Sequence, residues 1–338
     1  MRGSLKALMY SFKGGAGRTV STANIAYILA KEKRKRVLVV DLDVESAGAS
    51  VLFNVDDMVE NDEDRWAIQD VLRGYYVPPP REPDPSESRR KSINLNVKDF
   101  STRIWPKLHF DIWPPPDTTA VDGAYLKLIP ARRILYSSDE VKGGSSATSA
   151  FDFLMMRIDA LPDPPDIILF DSASGLQDTA LMGFERANTL LIFARWSRQF
   201  VKGSIQFVEK YVCSKVGRRL DRVFFVPTAV PSVKPTGRLA VELEERRKTL
   251  QSSIWLANDM ATQKFGKPEG WIEIIDPPVS EADTLKWDDK ILLGEGEEYV
   301  RDTHTQDLLS DYTRIADQLV TMASARKNKA ERTRVAAS

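Results

Sequence analysis

The chain has 338 residues, of which 42% are hydrophobic, enough to bury the core of one large domain or two ordinary ones. Its 48 basic and 48 acidic residues balance, which excludes a global attraction to nucleic acid or to an anionic membrane. The single cysteine excludes an internal disulfide, and no apolar stretch reaches the roughly 18 residues of a membrane span. We therefore expect a cytoplasmic protein without membrane insertion.

Continuous apolar runs alternate with helical patterns along most of the chain. Continuous runs are typical of parallel strands that are covered on both faces. The predicted strands are residues 5–12, 36–41, 108–112, 167–170, 189–194, 223–226 and 272–275. The predicted helices are residues 19–31, 151–158, 200–215 and 237–265. This order predicts an α/β fold with a doubly wound, mostly parallel sheet and helices on both faces.

Two segments interrupt this organisation, and we interpret residues 1–323 as a single domain. The segment near residues 77–92 is rich in proline and charge, which predicts a mobile insert. Residues 324–338 carry five bases against one acid, which predicts a disordered tail. A nucleic-acid contact through this tail is the less favoured alternative, and its lack of an apolar face argues against a membrane anchor.

A glycine-rich segment follows the first predicted strand and opens the first predicted helix. In that position, backbone N–H groups at a helix N-terminus can bind phosphate, and glycines let the backbone approach the anion closely. A threonine that follows can give its hydroxyl to Mg²⁺. The common pattern G-x-x-x-x-G-K-[ST] is not matched, because Phe12 and Arg18 replace its first glycine and its lysine. The segment reads Lys13-Gly14-Gly15-Ala16-Gly17-Arg18-Thr19.

These seven residues resemble the deviant Walker A motif of the ParA/MinD ATPases, Lys-Gly-Gly-x-Gly-Lys-Thr. They are most similar to a subset of the family that carries arginine at the sixth position. The resemblance implies ATP and Mg²⁺ as ligands and a homodimer in which Lys13 reaches the nucleotide of the partner subunit. It also implies that Arg18 takes the place of the second lysine. Arginine binds phosphate well but is bulkier and planar, so the rate of hydrolysis stays open.

Acidic residues follow two of the predicted strands. Asp41 and Asp43 end the second strand, and the resemblance implies a place in the metal shell for Asp41 and a water-positioning or switch role for Asp43. Asp171 ends a strand of Walker B type and would bind Mg²⁺ through water. The alternative is that these acids only cap the segments that follow. Thr228, at a later strand end, is our candidate for recognition of the base.

Three functions fit these residues. The first is a nucleotide switch that dimerises around ATP, hydrolyses it slowly and thereby controls an unidentified protein partner. The second is an ATP-gated scaffold that does not hydrolyse ATP. The third is a DNA-partition ATPase using the basic tail and the cluster Arg218, Arg219 and Arg222, against which the neutral net charge counts.

The fold alone leaves other chemistry open. A dehydrogenase of the Rossmann type would need a third glycine that the loop lacks, whereas a kinase for a small substrate is not excluded. The resemblance also implies membership of a multi-component bacterial system, with defence as one such setting.

Overall fold

The structure is a computed structural model, and it describes residues 4–73, 99–114, 121–133, 145–230, 236–280, 291–292 and 303–337. The predicted proline-rich insert near residues 77–92 lies outside these residues. Among the described helices, none is both long and apolar enough to cross a membrane.

The described residues form an eight-stranded sheet with the order β3-β4-β2-β5-β1-β6-β7-β8. Neighbouring strands in it are parallel, except that β3 pairs antiparallel with β4 at one edge. This confirms the predicted fold class. The strands are β1 (Leu5–Tyr10), β2 (Arg36–Leu42), β3 (Phe110–Trp113), β4 (Tyr125–Ile129), β5 (Ile167–Ser172), β6 (Thr189–Arg195), β7 (Arg222–Thr228) and β8 (Ile272–Ile274).

Helices connect the strands and cover the sheet. They are α1 (Arg18–Tyr27), α2 (Gly48–Leu52), α3 (Asp56–Asn61), α4 (Ile68–Leu72), α5 (Trp105–Leu108), α6 (Ser145–Asp159), α7 (Asp178–Arg186), α8 (Arg198–Phe207), α9 (Gly237–Phe265) and α10 (Thr303–Ala337). Helical turns of π type continue α1 (Ile28–Glu32), precede α5 (Phe100–Ile104) and continue α8 (Val208–Val216), and a 3-10 turn spans Val121–Gly123.

The sheet is buried on both faces. Successive residues of a strand point to opposite faces, so Leu38 belongs to one apolar cluster and Val39 to the other. The first cluster lies beneath α4 and α6 to α9, and the second lies beneath α1 and α10. Burial on both faces explains why the strand sequences are continuously apolar.

The C-terminal segment differs from its prediction. Helix α10 runs to Ala337, so that nearly all of the basic segment predicted to be disordered is helical. Alanine, lysine, arginine and glutamate favour helix, and they make up most of this segment. Arg326 also pairs with Asp221, which precedes β7. The apolar residues of α10 that pack against the sheet, among them Leu308, Tyr312 and Leu319, all precede this basic segment.

Candidate functional site

The loop between β1 and α1 has the backbone that the glycine pattern predicts. Gly15 (φ 80°) and Gly17 (φ 71°) adopt left-handed conformations, which residues with a side chain rarely adopt. Gly17 caps the N-terminus of α1, and its carbonyl oxygen accepts hydrogen bonds from the backbone N–H and the hydroxyl of Ser21. The glycines are exposed, so this helix end is accessible to an anion.

The sheet topology brings the predicted acids to this loop. Strands β1 and β2 both pair in parallel with β5, so their carboxyl ends meet at one edge. Asp41 on β2 lies level with Asp171 on β5. Residues separated by 130 positions thus lie side by side next to the glycine loop.

Arg18 makes direct contacts with two of these acids. Its Nε donates to Oδ1 of Asp171 at 2.9 Å, and its Nη2 donates to Oδ2 of Asp43 at 3.0 Å. The same Nη2 lies 3.4 Å from the hydroxyl oxygen of Thr19, and Nη1 lies 3.4 Å from that of Ser11. With its side chain only 8% exposed, Arg18 links the start of α1 to the loop after β2 and to the end of β5.

Burial would lower the pKa of Arg18, but the carboxylates of Asp171 and Asp43 outweigh it and raise the pKa above its ordinary value. The guanidinium is therefore permanently charged. Each carboxylate receives a charge-assisted hydrogen bond from it, and bonds of this kind are stronger than neutral ones.

The two carboxylate oxygens of Asp171 differ in their contacts. Its Oδ1 accepts from Arg18 and also from the hydroxyl of Thr22 at 3.2 Å. Its Oδ2 is buried and has no hydrogen-bond partner among the described residues. Burial raises the pKa of Asp171, and the pairing with Arg18 opposes that shift. A buried carboxylate oxygen without a donor is a suitable ligand for a hard cation.

The residues present therefore fit a magnesium ion, which Asp171 and the hydroxyl of Thr19 would hold. Within the described residues, no group of three or more His, Cys, Asp or Glu side chains is arranged to hold a metal. A site with few protein ligands suits Mg²⁺, which keeps several waters and is often held with the help of nucleotide phosphates.

Asp41 is held differently from Asp171. Its Oδ2 accepts from the backbone N–H and the hydroxyl of Ser50, both at 3.0 Å, and its Oδ1 accepts from the N–H of Asp43. Burial and the neighbouring Asp171 raise the pKa of Asp41 to about 8. Both carboxyl oxygens thus have donors in the protein, and Asp41 fixes the backbone at Asp43 and Ser50.

Lys13 and Asp43 differ in their burial and in their contacts. Lys13 is half-buried and makes no hydrogen bond or ion pair within the described part of the chain. Besides its bond to Arg18, Asp43 accepts a hydrogen bond from the N–H of Ser46. Nearby, Gln177 donates to Glu45, which joins the loops after β5 and β2.

Thr228 supports the glycine loop directly. Its hydroxyl donates to the carbonyl oxygen of Ala16 at 2.9 Å, and the side chain is buried. The preceding Pro227 lines a cavity of about 560 Å³ between the ends of β6 to β8 and α9. Other residues that line it are Trp196, Val230, Leu243, Arg247 and Ile274. A mostly apolar cavity of this size can take a nucleoside.

Several residues of the site were not predicted from the sequence. Ser11, Thr22 and Ser50 contact Arg18, Asp171 and Asp41, but single hydroxyl residues give no distinctive pattern. Phe12 packs so closely against α8 that a Cβ at Gly203 would lie 2.5 Å from its ring. The sequence signal for that contact is Gly203 itself, a glycine inside a segment with a strong helical pattern.

Comparison with known proteins identifies the family. A model of the CobQ/CobB/MinD/ParA nucleotide binding domain matches residues 8–288. The match spans most of the chain, so the protein belongs to this family of nucleotide-binding proteins, and the predicted resemblance to ParA/MinD-type P-loop ATPases is confirmed. A comparison with functionally characterised sequences gave no match.

Solved structures share the fold. The cell division ATPase MinD from Pyrococcus furiosus is 15% identical, with a TM-score of 0.55 over 94% of this chain and 100% of that chain. MinD from Pyrococcus horikoshii, complexed with Mg-ADP, is 16% identical, with a TM-score of 0.54 over 95% and 99%. A variant of McdA from Cyanothece, complexed with ATP, is 14% identical, with a TM-score of 0.57 over 94% and 98%.

Proposed function

We propose that this protein is an Mg²⁺-dependent ATP switch that dimerises around ATP, hydrolyses it slowly and thereby controls a partner protein. The observation that carries the proposal is the convergence of Arg18, Asp43 and Asp171 beside an exposed glycine loop. A protein that only bound a nucleotide would have little need of two buried acids at the carboxyl edge of the sheet.

In this proposal the glycine loop and the first turn of α1 bind the phosphates. Thr19 and Asp171 would hold Mg²⁺, which supplies charge neutralisation at the phosphates. Thr228 would keep the loop in place beneath the nucleotide, since its hydroxyl bonds to Ala16. The cavity next to Pro227 would receive the nucleoside.

Hydrolysis would depend on two further residues. Asp43 would orient the attacking water, provided that it gives up its bond to Arg18. Lys13 would place its ammonium group on the nucleotide of the partner subunit and offset the charge that develops on the phosphate oxygens. The ATP-bound dimer would be the form that the partner protein recognises.

A non-hydrolysing, ATP-gated scaffold is the second candidate. The bonds between Arg18 and the two acids support it, because an Asp43 that stays paired cannot orient water. A DNA-partition ATPase is the third candidate. Its support is the pairing of Arg326 with Asp221, the residue that directly precedes Arg222 in the cluster Arg218, Arg219 and Arg222.

The test is single-turnover hydrolysis of ATP with Mg²⁺, with molar mass followed by light scattering in the same samples. Wild type, Lys13→Ala and Asp43→Ala would be compared, with Lys202→Ala on α8 as a control for loss of a lysine. The switch predicts ATP-dependent dimers of wild type and the control, with hydrolysis lost in both site variants. ATP-dependent dimers without hydrolysis in any protein would support the scaffold, and monomers throughout would contradict both.

A further inference from the structure

A groove of about 590 Å³ lies between the free edge of β8 and the second half of α9. Strand β8 is the last strand of the sheet and pairs with β7, so within the described residues its other edge has no neighbouring strand. We call this cavity the β8 groove. The residues that line it include Ile254, Trp255, Asn258, Asp259, Glu269 and Ile274.

The backbone of β8 turns alternate residues toward its free edge. The N–H of Ile275 donates to the carbonyl oxygen of Phe225 on β7. By alternation, the backbone groups of Ile272 and Ile274 point away from β7. The side-chain amide of Asn258 accepts from the N–H of Ile272 at 2.7 Å and donates to its carbonyl oxygen at 2.9 Å. Asn258 therefore takes the place of an adjacent strand, but only at Ile272.

The free edge stays open at Ile274. Among the residues that the structure describes, none from α9 bonds to its backbone groups. An unpaired strand edge is a template for another extended chain, which pairs with it through backbone hydrogen bonds. The side chains of Ile274 and Ile254 pack in the same apolar cluster and form an apolar part of the groove wall. An extended segment thus fits this position better than a helix, which has no free backbone groups to offer.

The charges of the groove determine which segment it attracts. Asp259 and Glu269 are exposed, and in the described part of the chain neither pairs with a basic side chain. Asp259 accepts a hydrogen bond from the neutral amide of Gln263, whereas a third acid, Glu273, pairs with Arg222 at 2.8 Å. No lysine or arginine is among the described residues that line the groove. A positively charged segment is therefore complementary to it.

Trp255 supplies a second contact for a cation. Its side chain is 71% exposed, more than any other large hydrophobic residue that the structure describes. The face of an indole ring attracts the ammonium group of lysine and the guanidinium group of arginine. Asp259 lies four residues further along α9, so the ring and the carboxylate lie on the same side of the helix and can contact one cation together.

We propose that the β8 groove binds an extended, basic segment of a partner protein, which adds to the sheet beside Ile274. Lysine or arginine side chains of that segment contact Asp259, Glu269 and the ring of Trp255. This inference goes beyond the proposed ATP switch, because none of its contacts requires a nucleotide. Ile274 also borders the cavity next to Pro227, and for that reason the test is made without nucleotide.

The probe is a labelled peptide of the sequence Lys-Val-Arg-Val-Lys, blocked at both ends, whose binding to the full chain is followed by fluorescence anisotropy. One control peptide carries glutamate in place of the three basic residues. Another is methylated at its backbone nitrogens, which keeps the charge and removes the N–H donors. Wild type would be compared with Asp259→Lys and Trp255→Ala. The matched control variants are Glu60→Lys on α3 and Met156→Ala on α6, since both residues are exposed on other elements.

We expect wild type and both control variants to bind the basic peptide with a Kd below about 1 mM. Asp259→Lys and Trp255→Ala should each weaken binding about tenfold, and added salt should weaken binding to wild type. Neither control peptide should bind. The proposal is overturned if the basic peptide does not bind, if a control peptide binds equally well, or if either groove variant binds as wild type does.

Two further measurements locate the peptide and identify the occupant. The backbone amide resonance of Ile274 should shift when the basic peptide is added to wild type, and an unchanged resonance with the peptide bound would overturn strand addition. Light scattering of the chain alone tests for a second copy in the groove. We expect a monomer without nucleotide. A wild-type dimer that Trp255→Ala converts to a monomer would assign the groove to a second copy and overturn the proposal.

Discussion

Substituting Gly203 by alanine tests whether the packing of Phe12 holds the phosphate loop in place. Gly203 lies in α8, where an added Cβ would be 2.5 Å from two carbons of the Phe12 ring. Ordinary van der Waals contact begins near 3.4 Å, so the ring has to move by roughly 1 Å. Because Phe12 directly precedes Lys13, this movement displaces the first residues of the glycine loop.

Two effects of opposite sign determine the stability of Gly203→Ala. Overpacking of a buried contact costs about 1–3 kcal/mol. Replacing glycine by alanine inside a helix contributes about 1 kcal/mol in the stabilising direction. We expect a net loss of about 1 kcal/mol in the free energy of unfolding, together with about tenfold weaker ATP binding.

The assay combines urea unfolding with calorimetric titration of ATP in Mg²⁺. Gly183→Ala is the matched control, because Gly183 also lies in a helix and its added Cβ would be 2.8 Å from the flexible end of Leu8. That variant should keep wild-type affinity for ATP. Gly203→Ala could lose stability and still bind ATP as tightly as both wild type and Gly183→Ala. That result would show that the packing of Phe12 does not position the loop.

Three further predictions concern single hydrogen bonds and charges. Asp171→Asn removes one of the two charge partners of the buried Arg18. Because Asp43 remains as the other partner, we expect the free energy of unfolding to fall by about 3 kcal/mol and no more. An unchanged urea midpoint would contradict this pairing. Thr228→Val removes the hydroxyl that bonds to Ala16. It should lower the free energy of unfolding by about 1 kcal/mol and weaken ATP binding several-fold. An affinity for ATP equal to that of wild type would show that the loop does not need this support. Burial would raise the pKa of Asp166, but the hydrogen bonds from Arg36 outweigh it and hold the pKa below its ordinary value. This pair therefore stabilises the fold fully above about pH 4, and the contribution decreases as the pH falls toward the lowered pKa of Asp166, so Asp166→Asn should lower the melting temperature more near pH 7 than near pH 3. A similar loss at both pH values would argue against the charge as the cause.

The sequence was sufficient to predict the central part of the fold. Strands β1, β2 and β5 to β7 each contain an uninterrupted run of at least four apolar residues, and such runs show where a strand is buried on both faces. Strand β4 was not predicted, because Lys127 interrupts its apolar run and only the pairing with β2 and β3 determines the strand. The antiparallel direction of β3 follows from the same pairing and has no local signal.

For the site, the sequence supplied the residues but not their pairings. The motif marks Arg18 and Thr19, and the strand ends mark Asp41 and Asp171. The bonds from Arg18 to Asp43 and Asp171 depend on how far the guanidinium reaches across the sheet edge, which residue spacing cannot reveal. Likewise, the hydroxyl of Thr228 bonds to the loop itself, a contact across 212 positions of sequence.

The central claim is that ATP and Mg²⁺ bind at the glycine loop, and calorimetric titration of ATP into wild type and Thr19→Val tests it most directly. Valine keeps the shape of threonine but removes the hydroxyl predicted to bind the metal. We predict that wild type binds about one ATP per chain with Mg²⁺ and that Thr19→Val loses most of the gain in affinity that Mg²⁺ provides. Absence of ATP binding by wild type, or Mg²⁺-dependent binding that Thr19→Val leaves unchanged, would contradict it.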